Sequence, residues 1–253
     1  MDKLTSILVV AADAHHSAVL LDKAIRLARG FDARVELLET SSASVVLDRL
    51  QGAPVDLVIK APASAHPLRR WTLEATDLRL LQQTCVPILL ARARPWANPP
   101  RIAAAVDIAD RGSESLTRAI LQVSGFLALG MHAYLDVLYA EREQHDEYLR
   151  MERAVKLASL VREFRVGCEN LQMLDGAPEK KLPPLLAKRH YDLLVLGGLT
   201  RRAGLAGAFL PLNAALGEAA QSDILLLSDR DGHAARSSQA SGQQSLHQGN
   251  QFA

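Results

Sequence analysis

The chain has 253 residues, of which 49% are apolar, and a formal net charge of +1 from 29 basic and 28 acidic residues. This apolar content excludes a chain that is disordered throughout, and the balanced charge lacks the positive field of a general nucleic-acid-binding protein. The two cysteines, Cys85 and Cys168, build no disulfide framework and match no metal-binding spacing, so we expect a reducing, cytoplasmic compartment. The first apolar run, residues 7–12, is too short for a signal peptide or a membrane span.

Short apolar runs alternate with segments of helical periodicity in the first part of the chain. Ser17 is the predicted cap of the first helix, and Gly30 is predicted to end it. We predict strands at 7–12, 34–38, 55–59 and 86–91, and helices at 18–28, 45–50 and 76–83. Alternating strands and helices predict an α/β fold with a doubly wound parallel sheet.

Residues 93–100 include Pro95, Pro99 and Pro100, a density that predicts an interdomain linker. Beyond it the alternation resumes. Strands are predicted at 102–106, 133–139, 171–174, 193–196 and 224–227, and helices at 115–129, 144–164, 182–189 and 213–220. In the long helix at 144–164 we predict that one apolar stripe faces the core, formed by Tyr148, Met151, Val155, Ala158 and Val161.

The two parts of the chain carry matching segments in the same order. Residues 9–13 correspond to 104–107, residues 55–60 to 191–196, and residues 85–90 to 222–227. We therefore predict two domains in tandem, at 1–92 and 101–228, followed by a polar tail at 229–253 that is too poor in apolar residues to fold. The first domain is about forty residues shorter, and the gap between Glu39 and Val55 removes one long helix and one strand.

Polar residues follow the predicted strands at the edge where ligands bind in doubly wound sheets. They are Asp13 with His15 and His16, Asp107 with Asp110, and the glycine-rich loop at 197–207. An aspartate there accepts hydrogen bonds from a ribose or an adenine amine, and a glycine-rich loop presents backbone N–H groups to phosphates. The competing interpretation is structural, because such aspartates also cap helices and such glycines also form turns.

Several short segments together form a recognisable order of motifs, namely residues 66–68, 75–81, 85–87, 94–96, 195–198, 204, 208–210 and 222–226. In this order they resemble the universal stress proteins, and the tandem E type in particular. The resemblance implies two Rossmann-like units, the first truncated, packed as an internal pseudo-dimer in which the final strands, 86–91 and 224–227, pair antiparallel. It implies a bacterial cytoplasmic stress-response protein that acts by binding and is not an enzyme.

Nucleotide-binding members of this family hold ATP phosphates with three spaced glycines and a following Ser or Thr. Aligning the first glycine with Gly198 places Arg201, Pro211 and Leu212 at the other three positions. Because Pro211 has no N–H and Leu212 no hydroxyl, we expect a degenerate ATP site. Asp107 matches the adenine-side aspartate of the family, so a base or nucleoside remains a candidate ligand. In the first domain the segment 60–64 replaces the glycine loop altogether.

Two alternatives stay open at this stage. The first is an ATP- or AMP-binding protein with slow ATPase activity, its site formed by Asp107, Gly198, Thr200, Gly204 and Asn213, with Arg201 and Arg202 as anion-binding residues. The second is an interaction scaffold with an apolar groove beside Leu68, Trp71 and Leu73, for an unknown protein partner or an apolar ligand. We expect no resident cofactor, metal or nucleic acid, and a homodimer of the whole chain remains open.

Overall fold

A computed structural model describes residues 3–12, 14–61, 75–84, 86–109, 114–141, 147–164, 170–199 and 222–228. The strands in these ranges are β1 (Ser6–Ala11), β2 (Arg34–Glu39), β3 (Leu57–Lys60), β4 (Ile88–Leu90), β5 (Arg101–Val106), β6 (Tyr134–Glu141), β7 (Asn170–Asp175), β8 (Leu193–Leu199) and β9 (Asp223–Ser228). The helices are α1 (Ala14–Phe31), α2 (Ala43–Gly52), α3 (Ala75–Gln83), α4 (Glu114–Met131), α5 (Glu147–Glu163) and α6 (Pro178–Arg189). The predicted helix at 213–220 and the predicted disordered tail lie outside the described residues.

The predicted ends of the first helix are wrong at both termini. Helix α1 begins at Ala14, so Ser17 is a buried residue inside the helix and not its cap. Gly30 does not stop the helix, which turns instead at Asp32, whose φ is 54°. Gly30 serves packing, because a Cβ built there lies 2.5 Å from the carbonyl oxygen of Gly130 in α4.

The described strands form one nine-stranded sheet in the order β2-β1-β3-β4-β9-β8-β5-β6-β7. All neighbours run parallel except β4 and β9, which are antiparallel, with Leu89 opposite Leu225. This confirms the predicted pairing of the segments at 86–91 and 224–227. Residues 6–90, the N-terminal half, therefore share a continuous sheet with residues 101–228, the C-terminal half.

Helices cover both faces of the sheet. One face carries the buried side chains of α1, α4 and α5, and the other carries those of α2, α3 and α6. Continuous apolar strands such as β3 and β9 are buried on both faces, as parallel central strands are. Within the described part of the chain, none of the helices has the length and apolar content needed to cross a membrane.

Helix α5 does not face the core with the stripe predicted from the sequence. Tyr148, Met151 and Val155 are 77%, 64% and 59% exposed, whereas Leu157 and Leu160 are buried. The helix carries two apolar stripes, and hydrophobic periodicity alone does not tell which of them packs inward. Of the predicted stripe, Ala158 and Val161 are partly buried.

The proline-rich segment 93–100 contains neither helix nor strand, but it is fixed to both halves. Trp96 is buried, and its indole Nε1 donates to the carboxylate of Asp223 in β9 at 2.7 Å. The ammonium group of Lys23 in α1 also donates to Asp223. Arg26 of α1 donates to the carbonyl oxygen of Trp96 at 3.0 Å. This network ties α1, the proline-rich segment and β9 together in the interior.

Candidate functional site

Asp107 follows β5 directly and lies at the carboxyl edge of the sheet. Its Oδ1 accepts a hydrogen bond from the backbone N–H of Ala109 at 3.0 Å, and its carbonyl oxygen accepts one from the hydroxyl of Thr117 in α4 at 2.5 Å. These bonds tie Asp107 to Ala109 and to α4, while the Asp107 side chain stays exposed to solvent. The residue therefore makes the hydrogen bonds of a turn-forming aspartate and also presents a carboxylate to solvent.

Tyr139 lies near the end of β6, the strand that pairs with β5, and sequence reasoning missed it. The residue is 1% exposed, and its hydroxyl lies beside the guanidinium of Arg153, although it makes no hydrogen bond of good geometry among the described residues. Leaving a buried hydroxyl unpaired costs about 1–3 kcal/mol. Burial raises the pKa of Tyr139, so the phenol remains a neutral hydrogen-bond donor. Its position near the end of the strand after the one that leads to Asp107 is the one sequence feature that points to it, and that position alone does not mark it as a site residue.

Glu141 and Arg153 form a partly buried ion pair beside Tyr139. Glu141 ends β6, and Arg153 projects from α5. Because the guanidinium is engaged by Glu141, the pair fixes α5 against the strand edge and bounds the site on that side. The edge thus combines a neutral donor, Tyr139, with an exposed acceptor, Asp107.

The glycines of β8 separate into a packing residue and an edge residue. A Cβ at Gly197 would lie 2.3 Å from Cδ2 of Leu116, so this glycine makes room for α4. Gly198 lies within β8, which neighbours β5, and therefore reaches the same edge as Asp107. The strand order reverses between β5 and β8, where crevices form in doubly wound sheets.

The remaining predicted site residues are not placed by the structure. Thr200, Arg201, Arg202, Gly204 and Asn213 lie outside the described residues, as do Asp13 and the side chains of His15 and His16. The structure therefore brings together Asp107 and Gly198 only. No cluster of three or more metal-ligating side chains occurs in the described ranges.

The corresponding edge of the N-terminal half has different chemistry. Lys60 ends β3, and its ammonium group forms a buried ion pair with Asp77 of α3. Lys60 occupies the position that Leu196 has in β8, since β1 pairs with β3 as β5 pairs with β8. A charged pair thus fills the interior where the C-terminal half has an apolar strand leading to glycines.

No family model matches the chain. A curated relative, the universal stress protein E homolog of Haemophilus influenzae (strain ATCC 51907 / DSM 11121 / KW20 / Rd), is 20% identical over 189 residues, covering 68% of this chain and 61% of that protein. The chain therefore spans less than two thirds of the length of this relative.

Solved structures are similar over most of the chain. A Pseudomonas aeruginosa UCBPP-PA14 protein assigned to the universal stress proteins has a TM-score of 0.65 and 26% identity, covering 92% of this chain and 86% of that chain. A protein of unknown function from Pseudomonas aeruginosa PAO1 has a TM-score of 0.62 and 26% identity, covering 93% and 85%. A universal stress protein from Archaeoglobus fulgidus DSM 4304, with 12% identity and a TM-score of 0.55 over 88% of each chain, shares the fold.

Proposed function

We propose that this chain, which belongs to the universal stress protein family, is a cytoplasmic stress-response protein that acts by binding a nucleoside-like ligand and catalyses no reaction. The observation that carries the proposal is the pairing of two complementary groups at adjacent strand ends. Tyr139 has a buried hydroxyl that lies beside Arg153 but makes no hydrogen bond of good geometry among the described residues, and Asp107 has an exposed carboxylate held by a turn. A ligand that accepts from the phenol and donates to the carboxylate satisfies both.

A nucleoside meets these two requirements. Its ribose hydroxyls and exocyclic amine donate to a carboxylate, and its ring nitrogens accept from a neutral phenol. The predominantly apolar ends of β5 and β8 favour a flat apolar group at the crevice. This supports a base or nucleoside over a small inorganic anion.

The sequence argues against tight triphosphate binding. Arg201, Pro211 and Leu212 stand where nucleotide-binding relatives have two glycines and a hydroxyl, which removes backbone donors and the hydroxyl that hold phosphates. We therefore propose a degenerate ATP site. The alternative, ATP or AMP binding with slow ATPase activity, requires Thr200, Gly204 and Asn213 to compensate.

We further propose that the two halves are copies of one unit and that the first is truncated. Shared local features support this. Asp56 accepts from the N–H of Ser6 at 3.0 Å, and Asp192 accepts from the N–H of Arg101 at 2.9 Å, each at the first residue of the central strand of its half. Asp32 and His132 both end their helices with positive φ. The units pack as an internal pseudo-dimer across β4 and β9.

The proposal is tested by titrating the chain with adenosine, AMP and ATP in a thermal-shift assay and by calorimetry. We expect adenosine to raise the melting temperature and ATP to bind no more tightly than adenosine. Tyr139→Phe and Asp107→Asn should each weaken adenosine binding about tenfold, the effect of one hydrogen bond of about 1.4 kcal/mol. Tyr134→Phe, at the exposed start of the same strand, is the matched control.

Two outcomes decide against the proposal. No stabilisation by adenosine would refute the nucleoside site. ATP binding much more tightly than adenosine, together with slow release of phosphate, would favour the ATPase alternative and contradict the degenerate phosphate site.

Protein binding is a second candidate function, and exposed apolar side chains of the N-terminal half favour it. Ile25 of α1 and Leu37 of β2 are 42% and 39% exposed. The groove that the sequence placed beside Leu68, Trp71 and Leu73 lies outside the described residues.

A further inference from the structure

A buried acid, Asp136, lies near the amino edge of the C-terminal half, where its parallel strands begin. Its Oδ2 accepts a hydrogen bond from the hydroxyl of Tyr191 at 2.6 Å. The side chain points to the face that contains Leu138, since alternate residues of a strand share a face. Tyr139 of the candidate nucleoside site packs in the core cluster of the other face. Asp136 therefore belongs to a separate cluster, about 10 Å nearer the start of β6.

Two arginines approach the same oxygen of Asp136. A guanidinium nitrogen of Arg101, the first residue of β5, lies 3.8 Å from Oδ2, and one of Arg189, the last residue of α6, lies 4.0 Å from it. Because both distances end at one atom, the two nitrogens are within about 8 Å of each other. Burial and the hydrogen bond to the carboxylate raise the pKa of Tyr191, whereas the two guanidinium groups lower it, so both cations also lie near this phenol.

The N–H groups of these two guanidinium groups are not used by the carboxylate. Both separations exceed the roughly 3.2 Å of a good N–H···O hydrogen bond. Among the described residues the Nε of Arg101 is buried without a hydrogen-bond partner. The Arg101 guanidinium lies over the ring of Tyr191, 5.8 Å from its centroid. The side chains of Arg101 and Arg189 are 37% and 39% exposed, so an acceptor from solvent can reach both.

The N-terminal half shows how a single arginine satisfies such an acid. Matching Gly30 with Gly130 aligns β2 with β6. In this alignment Glu36 corresponds to Asp136. Arg49 of α2 donates from Nε to Oε1 of Glu36 at 2.6 Å and from a second nitrogen to Oε2, which is a bidentate pair. In the C-terminal half two cations face one buried carboxylate and neither makes such a pair.

Asp192 is a second buried acid at this edge, but it has other partners. Its two oxygens accept hydrogen bonds from the backbone N–H groups of Ala97 at 3.0 Å and Arg101 at 2.9 Å. Among the described residues it forms no ion pair with the guanidinium groups of Arg101 and Arg189. The two guanidinium groups therefore keep donors that these acids do not satisfy.

We propose that the guanidinium groups of Arg101 and Arg189 bind the phosphate group of a small molecule at the amino edge of the C-terminal half. Two separate guanidinium planes suit a tetrahedral phosphate, whereas a carboxylate has two coplanar oxygens that fit one arginine. Two phosphate oxygens about 2.5 Å apart, each accepting a bond of about 2.9 Å, join nitrogens up to about 8 Å apart. Asp136 and Tyr191 hold the two arginines in place from below. This site goes beyond the proposed nucleoside site.

The experiment titrates the 253-residue chain with inorganic phosphate by calorimetry and by thermal shift, at constant ionic strength set with chloride. We expect phosphate to raise the melting temperature above that in chloride. Arg189→Gln and Arg101→Gln should each weaken phosphate binding about tenfold, because each removes charge-assisted hydrogen bonds. Arg34→Gln, at the exposed first residue of β2 and the same edge of the N-terminal half, is the matched control.

A parallel titration with glycerol 3-phosphate identifies the source of the phosphate group. Tighter binding of this ester than of inorganic phosphate would support a phosphorylated metabolite, and equal or weaker binding would support free phosphate. Arg189→Lys keeps the charge but not the planar fork, so it should recover only part of the affinity.

Two results overturn the inference. One is a wild type that phosphate stabilises no more than chloride does. The other is a phosphate affinity that neither Arg189→Gln nor Arg101→Gln changes, since a purely structural role would lower the melting temperature without phosphate and leave the phosphate-dependent rise intact. The two proposals fail independently, because Arg189→Gln should leave adenosine binding unchanged and Tyr139→Phe should leave phosphate binding unchanged.

Discussion

Strands β2 and β6 have the same pattern of apolar residues, but their aligned side chains differ in burial. Both alternate apolar residues towards the face of α1 and α4, but Val137 is fully buried and Leu37 is 39% exposed. The difference is helix α5, which buries Leu157 and Leu160 in the core cluster that contains Val137, whereas the described N-terminal half has no helix in the corresponding place after β2. Burial, and the stability that follows from it, is decided here by the neighbouring element and not by the strand's own sequence.

The largest expected difference between the two halves comes from introducing a charge at the aligned positions 37 and 137. Val137→Asp buries a carboxylate with no partner and should lower the free energy of unfolding by about 4 kcal/mol or more. Leu37→Asp leaves the carboxylate in contact with water and should lower it by less than about 1 kcal/mol. Urea unfolding of both variants measures the difference. Equal losses would mean that Leu37 is covered in solution.

Close packing of the halves is tested next, at the contact between α1 and α4. A Cβ at Gly30 would lie 2.5 Å from the backbone oxygen of Gly130, so Gly30→Ala should destabilise the protein by about 2 kcal/mol. Gly52, in α2, has open space around it, and Gly52→Ala should be neutral or stabilising by less than about 1 kcal/mol. Denaturant midpoints compare the two. A tolerated Gly30→Ala would show that α1 and α4 are loosely packed.

The smallest effect concerns Tyr139, for which the aligned residue in the N-terminal half is the exposed Glu39. Tyr139→Phe removes a buried unpaired hydroxyl and should raise the free energy of unfolding by up to about 1 kcal/mol at neutral pH. Burial raises the pKa of Tyr139 in the folded state, so the unfolded chain loses this proton first as pH rises above about 10.

The wild type should therefore lose stability above pH 10, and Tyr139→Phe should lose less of it. Unfolding free energies measured between neutral pH and pH 11 test this, with Tyr134→Phe as the control. A wild-type curve parallel to that of Tyr139→Phe would mean that the phenol is not buried as described.

Much of the fold can be predicted from the sequence, because a short continuous apolar run forms few structures other than a buried strand. The segments at 7–12, 102–106 and 224–227 are strands as predicted, since short apolar runs bounded by polar residues pack between two helix layers. The antiparallel pairing of β4 with β9 followed from the family resemblance and not from the residues themselves. The composition of the strands does not specify through which strands two sets of parallel strands pair with each other.

The wrong predictions share a physical cause: the role of each residue depends on residues that are distant in the sequence. The sequence predicts that Gly30 ends the helix, but Gly30 is needed because it packs against Gly130, one hundred residues away. The sequence also predicts Tyr148 and Met151 as core residues, whereas the stripe that contains Leu157 faces inward. Local periodicity contains no information on which partner surface the tertiary fold supplies.

In the candidate site, too, some residues can be identified from local sequence and others only from the packed structure. Asp107 is identifiable from the sequence because an acid after a buried strand is a local pattern. Tyr139 is not, because its importance comes from an unpaired hydroxyl that only the packed structure shows. Lys60 and Asp77 likewise belong to separate elements, and their buried ion pair arises when α3 packs beneath β3.

Strand β9 is the last strand in the described part of the chain but lies near the middle of the sheet, between β4 and β8. A growing polypeptide therefore exposes the open edge of β4 until residues 223–228 have left the ribosome. The ion pair between Lys23 and Asp223 also forms late, because the two residues are 200 positions apart in the sequence. Contacts of such sequence separation slow folding. During synthesis the N-terminal half is a nascent chain with an unprotected edge strand, which makes it a natural substrate for co-translational chaperones.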